Sequence, residues 1–264
     1  MQPDLGARII EKAKELGATM AGIANIELLR NSPSHRIIKM KTGLEIEDFP
    51  GIKWPEDSKS ALVIAVSHPE DKPELDWWDT NSSPGNSILI KINKELSIWL
   101  QEEFGIKTYK MPYSIERGGI YLKDTAVLAG LGCIGKNNLL ITPELGSKVR
   151  LRGMLLSADL TPTGPIDYDP CEGCEMFCRK VCPQNAFLER VLFSSEIGLD
   201  KLPGRDGSFS RQKCMVQMYV DMERSNINFN QGVQYISDTE EMADTKNLVK
   251  YCRQCELSCP VGKM

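Results

Sequence analysis

Eight of the nine cysteines in this 264-residue chain fall between Cys171 and Cys259, and their spacing restricts what this part of the chain can become. The first group reads Cys171-x2-Cys174-x3-Cys178-x3-Cys182-Pro183, the second Cys252-x2-Cys255-x3-Cys259-Pro260, and Cys214 stands between them. An x2 pair brings two thiolates round one tight turn onto the same metal centre. In two-cluster ferredoxins the last cysteine before proline reaches across to the other cluster. Four cysteines, three and one make eight, enough for two 4Fe-4S clusters with four ligands each. The bacterial ferredoxin run has two residues between its second and third cysteines, whereas Glu175, Met176 and Phe177 stand here, which widens a turn without losing a ligand. By the exchange rule, Cys171, Cys174, Cys178 and Cys259 would hold one cluster, and Cys182, Cys214, Cys252 and Cys255 the other. The rival reading is a pair of zinc sites with four thiolates each. The Cys-Pro ending of both groups favours iron and sulfur.

Metal binding is preferred over disulfides because the N-terminus, Met-Gln-Pro-Asp-Leu-Gly-Ala-Arg, lacks the basic-then-apolar layout of an export signal, and the cytosol keeps thiols reduced. No apolar run approaches membrane-spanning length, so a cytoplasmic protein with no membrane contact is expected. Thirty-two basic against 36 acidic side chains give a net charge of -4, which offers no electrostatic footprint for nucleic acid.

Ahead of the cysteines, helical and strand patterns alternate. Leu5, Ile9, Ile10, Ala13 and Leu16 mark one helix face closed by Gly17, and a strand is expected over 19–26. Residues 60–67, Ser-Ala-Leu-Val-Ile-Ala-Val-Ser, read as a buried strand. Ile88, Ile92, Leu96 and Leu100 predict a helix face beginning near Asn86 and stopped by Gly105. Strand patterns follow over 105–113 and, with a glycine interruption, 149–159, while 124–129 reads as the last turns of a helix. Residues 71–85, rich in Pro, Asp, Ser and Asn, predict a surface loop. The alternation predicts an α/β or mixed α+β sandwich over residues 1–165, with a C-terminal ferredoxin-like domain over 166–264.

Residues 130–138, Gly-Leu-Gly-Cys-Ile-Gly-Lys-Asn-Asn, carry the spacing of a dinucleotide-binding loop. Such a loop needs a strand before it and a helix after it, so that a pyrophosphate meets a helix N-terminus. Here a helix pattern precedes, turn chemistry follows, and no acidic residue lies about twenty residues on. A phosphate loop is excluded too, since Asn137 follows Lys136 where Ser or Thr is required. Residue by residue, the stretch reads as a glycine cap and a compact turn.

Taken with its neighbours, the segment carries more. Ala129-Gly-Leu-Gly-Cys-Ile-Gly-Lys-Asn-Asn-Leu-Leu-Ile-Thr-Pro-Glu-Leu-Gly-Ser147 ahead of the cysteine unit resembles the epoxyqueuosine reductases and, more distantly, the corrinoid-dependent reductive dehalogenases. Ala13-Lys-Glu-Leu-Gly-Ala-Thr-Met-Ala-Gly-Ile-Ala24 and Arg211-Gln-Lys-Cys214 extend the likeness over most of the chain. The resemblance implies a core similar to the flavin nitroreductase fold, in which the glycine segment lies beside a cobalamin or other corrinoid and two 4Fe-4S clusters deliver electrons to its cobalt. It makes Gly132, Gly135, Lys136 and Asn137 candidates for corrinoid contact. The family's aspartate before the glycines falls, in ungapped register, on Glu116, a candidate proton donor. Residues 71–85 stand where the family has a tyrosine- and histidine-containing segment.

Elsewhere the bland expectations stand. His68 is expected as an exposed loop histidine, Cys133 as a small residue in a tight turn, Trp77 and Trp78 as packing for their loop, and Met215, Met218 and Met222 as a core stripe. The function expected is reduction of a small molecule or a corrinoid, with electrons supplied by a low-potential donor such as ferredoxin or flavodoxin. The alternative is a non-catalytic electron carrier that docks to a redox or corrinoid protein.

Overall fold

The computed structural model describes residues 4–39, 51–78, 82–113, 115–198, 202, 204–225 and 248–262. Helix α1 (Leu5–Glu15) leads into β1 (Met20–Asn25), followed by α2 (Ile26–Arg30), α3 (Pro33–Lys39), β2 (Ser60–Ser67) and the long α4 (Pro84–Phe104). Strand β3 (Thr108–Lys110), α5 (Leu122–Leu128), the short β4 (Cys133–Ile134) and β5 (Leu140–Ile141), and β6 (Val149–Leu156) complete the body. Helices α6 (Phe177–Lys180), α7 (Ser194–Ile197), α8 (Arg211–Arg224) and α9 (Gln254–Leu257) belong to the cysteine-rich part. None of the helices in the described residues is long and apolar enough to cross a membrane.

The main sheet runs β1-β2-β6-β3 with every pair antiparallel, so the fold is mixed α and β on an antiparallel sheet. Between its terminal serines, strand β2 is apolar because both of its faces are covered. Leu62, Ile64 and Val66 meet Ile9 and Ala13 of α1 and Leu89, Ile92, Leu96 and Leu100 of α4. Ala61, Val63 and Ala65 face Leu29 of α2 and Ala126 of α5, with Ala129 and Leu131 just beyond. Successive side chains alternate faces, so a strand between two helical layers loses the polar half of its pattern.

Local chemistry sets the boundaries. Ser83 Oγ accepts a hydrogen bond from the Asn86 backbone N–H (3.1 Å), Pro84 occupies the first helical position, and Gly105 closes α4 at φ +62°. The helix therefore starts two residues before the sequence pattern puts it. Ile88 is 39% exposed and Leu89 takes its place on the buried face, in phase with Ile92, Leu96 and Leu100. Gly153 does not interrupt β6 but pairs opposite Val63. The alternation over 105–113 yields only the three residues of β3, whose pairing stops at Met154.

A close approach brings the glycine segment to the sheet. A Cβ on Gly22 of β1 would lie 2.5 Å from the Ala129 carbonyl oxygen and 2.6 Å from Leu131 Cδ1, so only glycine lets the end of α5 press against the strand. Thr163 Oγ1 clamps the contact, accepting from Ile23 N–H (2.9 Å) and donating to Ala129 O (2.7 Å).

Candidate functional site

After α5 the chain turns at Gly130 (φ +75°) and forms the β4–β5 hairpin, with Cys133 opposite Ile141 and Ile134 opposite Leu140. A helix precedes the glycines and a hairpin follows, so no helix N-terminus is presented to a pyrophosphate. The glycines permit tight closure. A Cβ on Gly132 (φ +157°) would sit 2.1 Å from Ile141 O, and one on Gly135 would sit 2.3 Å from Ile141 Cδ1 and 2.7 Å from Asn137 Oδ1.

Lys136 and Asn137, at the tip, meet the cysteine-rich part. Cys171, Cys174, Cys178 and Cys259 line a pocket together with Lys136, Asn137 and Ile141. Cys182, Cys214, Cys252 and Cys255 line a second, of about 490 Å³, with Tyr121, Lys123, Asn137, Asn138, Leu139, Met215 and Met218. Asn137 is buried and belongs to both walls, its Nδ2 donating to Cys255 O (3.5 Å). Arg179 ties the tip to the cysteine region, donating from Nε to Lys136 O (2.9 Å) and from Nη2 to Gly204 O (2.6 Å). Helix α8 has no buried residues, so its methionines are not a core stripe. Met215 and Met218 face the second pocket, because helical spacing alone does not say which surface a stripe covers.

All nine cysteines are free thiols. Burial pushes the Cys178, Cys214, Cys252 and Cys255 thiols up, so a bound cation is needed to hold them as thiolates. Backbone N–H groups already point at sulfur, from Lys136 to Cys171 Sγ (3.5 Å) and from Ala186 to Cys182 Sγ (3.3 Å). Four thiolates on one zinc ion would lie about 3.8 Å apart, from Zn–S bonds of ≈ 2.3 Å in a tetrahedron. Among the described residues no three cysteine sulfurs come within 4.8 Å of one another. Cys133 is half-buried and accepts from Arg205 Nη2 (3.3 Å), beside Cys171 and Cys259.

His68 is not an exposed loop histidine. It is 2% exposed and belongs to a buried network that joins residues 68–78 to the segment carrying Cys252 and Cys255. Its Nδ1 lies 2.7 Å from Arg253 Nη2, which also donates to Glu256 Oε1 (2.6 Å), while Arg253 Nε lies 3.6 Å from Asp76 Oδ2. Arg150 of β6 pairs with Asp76 and reaches Tyr113 Oη (3.3 Å), and Tyr251 Oη donates to Asp76 Oδ2 (3.0 Å). Burial, against the pull of Asp76 and with help from Arg253 and Arg150, lowers the His68 pKa to about 4. His68, Asp76 and Glu256 have ligand atoms close enough to share a metal ion, but the guanidinium of Arg253 already bridges them. Residues 71–78 are therefore more than a surface loop, since Asp76 is buried at the network's centre and Trp78 pairs with Val249 through backbone hydrogen bonds.

Glu116 lies in the 3-10 turn Ile115–Arg117, and its side chain is outside the described residues. Lys123, Arg150 and Arg253 are functional candidates that sequence reasoning missed. A charged residue inside a C-x2-C pair, as Arg253 is, was the one available signal.

No family model matches the chain. The epoxyqueuosine reductase of Bacillus cereus is 43% identical over 198 residues, covering 69% of this chain and 52% of that protein. That of Lactococcus garvieae is 26% identical over 218 residues, covering 79% and 53%. The tetrachloroethene reductive dehalogenase of Sulfurospirillum multivorans is 41% identical over 66 residues, 24% of this chain and 13% of that protein. The chain thus spans about half the length of the epoxyqueuosine reductases it matches. Among solved structures, epoxyqueuosine reductase from Streptococcus thermophilus superposes with a TM-score of 0.62 at 20% identity, over 98% of this chain and 66% of that one. A catabolic reductive dehalogenase in complex with 3-bromo-4-hydroxybenzoic acid gives 0.59 at 17% identity, over 97% and 31%. The structural likenesses speak for the fold, and the sequence likenesses support a place in the superfamily of the epoxyqueuosine reductases and reductive dehalogenases.

Proposed function

We propose that this chain is a redox protein that passes low-potential electrons through two 4Fe-4S clusters to a corrinoid at its body, for reduction of a small molecule or of the corrinoid itself. The observation that carries the reading is the gathering of eight thiols into two four-cysteine pockets that share Asn137 as a wall. The open spacing of the sulfurs favours a four-iron cube over a single zinc ion, because a cube holds its ligands further apart. The residues present fit clusters: four cysteines for each, and N–H donors aimed at Cys171 and Cys182. Bound there, clusters would supply one-electron transfer, and a corrinoid a metal centre that becomes a strong reductant or nucleophile.

The chain's own residues do the rest. Cys171, Cys174, Cys178 and Cys259 hold one cluster, and Cys182, Cys214, Cys252 and Cys255 hold the other. Gly132 and Gly135 close the hairpin that presents Lys136 and Asn137. Leu139, Met215 and Met218 keep water from the second pocket, and Glu116 is a proton donor in the body. Residues 1–165 act as the cofactor-binding body and 166–264 as a ferredoxin-like electron entry, served in the cytoplasm by a ferredoxin or flavodoxin.

The second pocket also favours a second reading. Its 490 Å³ lies within the roughly 300–1,000 Å³ typical of drug-sized ligands, and a corrinoid is larger than these. On this reading the chain is an electron carrier that presents a cluster to the corrinoid of a partner protein.

Anaerobic purification with iron and zinc analysis, followed by cobalamin titration under absorption spectroscopy, tests both. About eight irons per chain and a saturable spectral change support the first reading. Iron without a corrinoid response leaves the carrier, and zinc without iron defeats both.

A further inference from the structure

Lys123, in the first turn of α5, is partly buried and lines the second cysteine pocket. Its Nζ donates to the carbonyl oxygen of Asn138 at 2.5 Å, and among the described residues no carboxylate is ion-paired with it. Its sequence neighbour Asp124 turns away, accepting from Ser34 N–H (2.9 Å) and Ser34 Oγ (2.7 Å). Among the described residues, the pocket's charged lining residues are Lys123 and Arg211, both cationic, and no carboxylate lines it.

An ammonium drawn away from water is costly unless negative charge stands against it. Asp124, Cys214 and Cys255 attract that charge, and Arg211 repels it. Among the described residues that line this pocket, the groups able to set negative charge against Lys123 are the thiols.

We propose that Lys123 is a charge-compensating, positioning residue for the second quartet: held on Asn138 O, its ammonium faces Cys214 and Cys255 and favours the reduced, more negative state of the cluster they hold. The inference rests on the two-cluster reading above. Reduction here adds one electron from an external reductant and breaks no bond. A fixed positive charge at short range therefore moves the potential of that cluster and leaves the other, walled off behind Asn137, unmoved.

Dye-mediated redox titration of the anaerobically purified full chain, followed by EPR, tests it with K123Q, K123M and K123R. The expected result is a more negative midpoint for one cluster in K123Q and K123M, with the other unchanged and K123R close to the parent. Should K123M lose iron, the same contrast is read between K123Q and K123R. Unmoved midpoints in K123Q, an equal shift of both clusters, or a K123R shift as large as that of K123Q would overturn the proposal. Absence of two iron-sulfur signals in the parent protein would instead overturn the two-cluster reading itself.

Discussion

Nδ1 of His68 lies 2.7 Å from Nη2 of Arg253, and since a guanidinium can only donate, this ring nitrogen accepts and the neutral ring carries its proton on Nε2. Burial strips the ring of water and, against the pull of Asp76 and with Arg253 and Arg150 beside it, lowers the His68 pKa from 6.5 to about 4. Between these values the unfolded chain binds a proton that the folded chain refuses. Stability therefore rises with pH through that window, is complete above about 6.5, and is lost on acidification toward 4. The span of about 2.5 units corresponds to roughly 3 kcal/mol. Urea denaturation across pH 4–7 should show this slope in the parent protein and a flatter one in H68Q, whose amide oxygen can still accept from Arg253. An equal slope in both proteins would show that other groups carry the acid sensitivity.

At the level of elements, the β4–β5 hairpin works as a spacer between the sheet and the cysteines. Its geometry depends on the absence of a side chain at Gly132, where a methyl group would lie 2.1 Å from Ile141 O, closer than atoms can approach. Gly132→Ala must open the hairpin and shift Lys136, whose N–H reaches Cys171 Sγ. Overpacking of this kind costs roughly 1–3 kcal/mol. The variant should show a lowered thermal midpoint together with reduced iron retention under chelator; a midpoint and iron content equal to the parent's would mean that the hairpin relaxes without disturbing the first pocket. The hairpin was only half legible in sequence. Its glycines announced a tight turn, but two-residue strands are too short for any periodicity to declare them.

Across the whole molecule, the contact between body and cysteine segment is made by buried charge rather than by apolar packing alone. Arg253 reaches His68, Asp76 and Glu256 at once, and it stands between Cys252 and Cys255. Removing it leaves the Glu256 carboxylate buried without its guanidinium, while Asp76 keeps Arg150 and Tyr251; breaking such a buried pair costs about 3–5 kcal/mol. For Arg253→Met we expect destabilisation of that order in denaturant, with iron leaving the second pocket before the first on chelator challenge. Equal release from both pockets would argue against a network that anchors one side of the site.

What the sequence determined by itself was whatever is encoded in short-range spacing. The x2 pairs and Cys-Pro endings pointed to metal ligation, the apolar run 60–67 to a buried strand, and Gly105 to the end of α4. Each depends on residues a few positions apart, where bond geometry and capping chemistry act without help from the rest of the chain. Only the tertiary structure decided that Leu89 rather than Ile88 faces the core, that Met215 and Met218 look onto thiols, and that His68 meets Arg253 across 185 positions. Burial and charge pairing are properties of surfaces that close on one another, and a histidine or lysine reads the same in sequence whether water or a guanidinium stands before it.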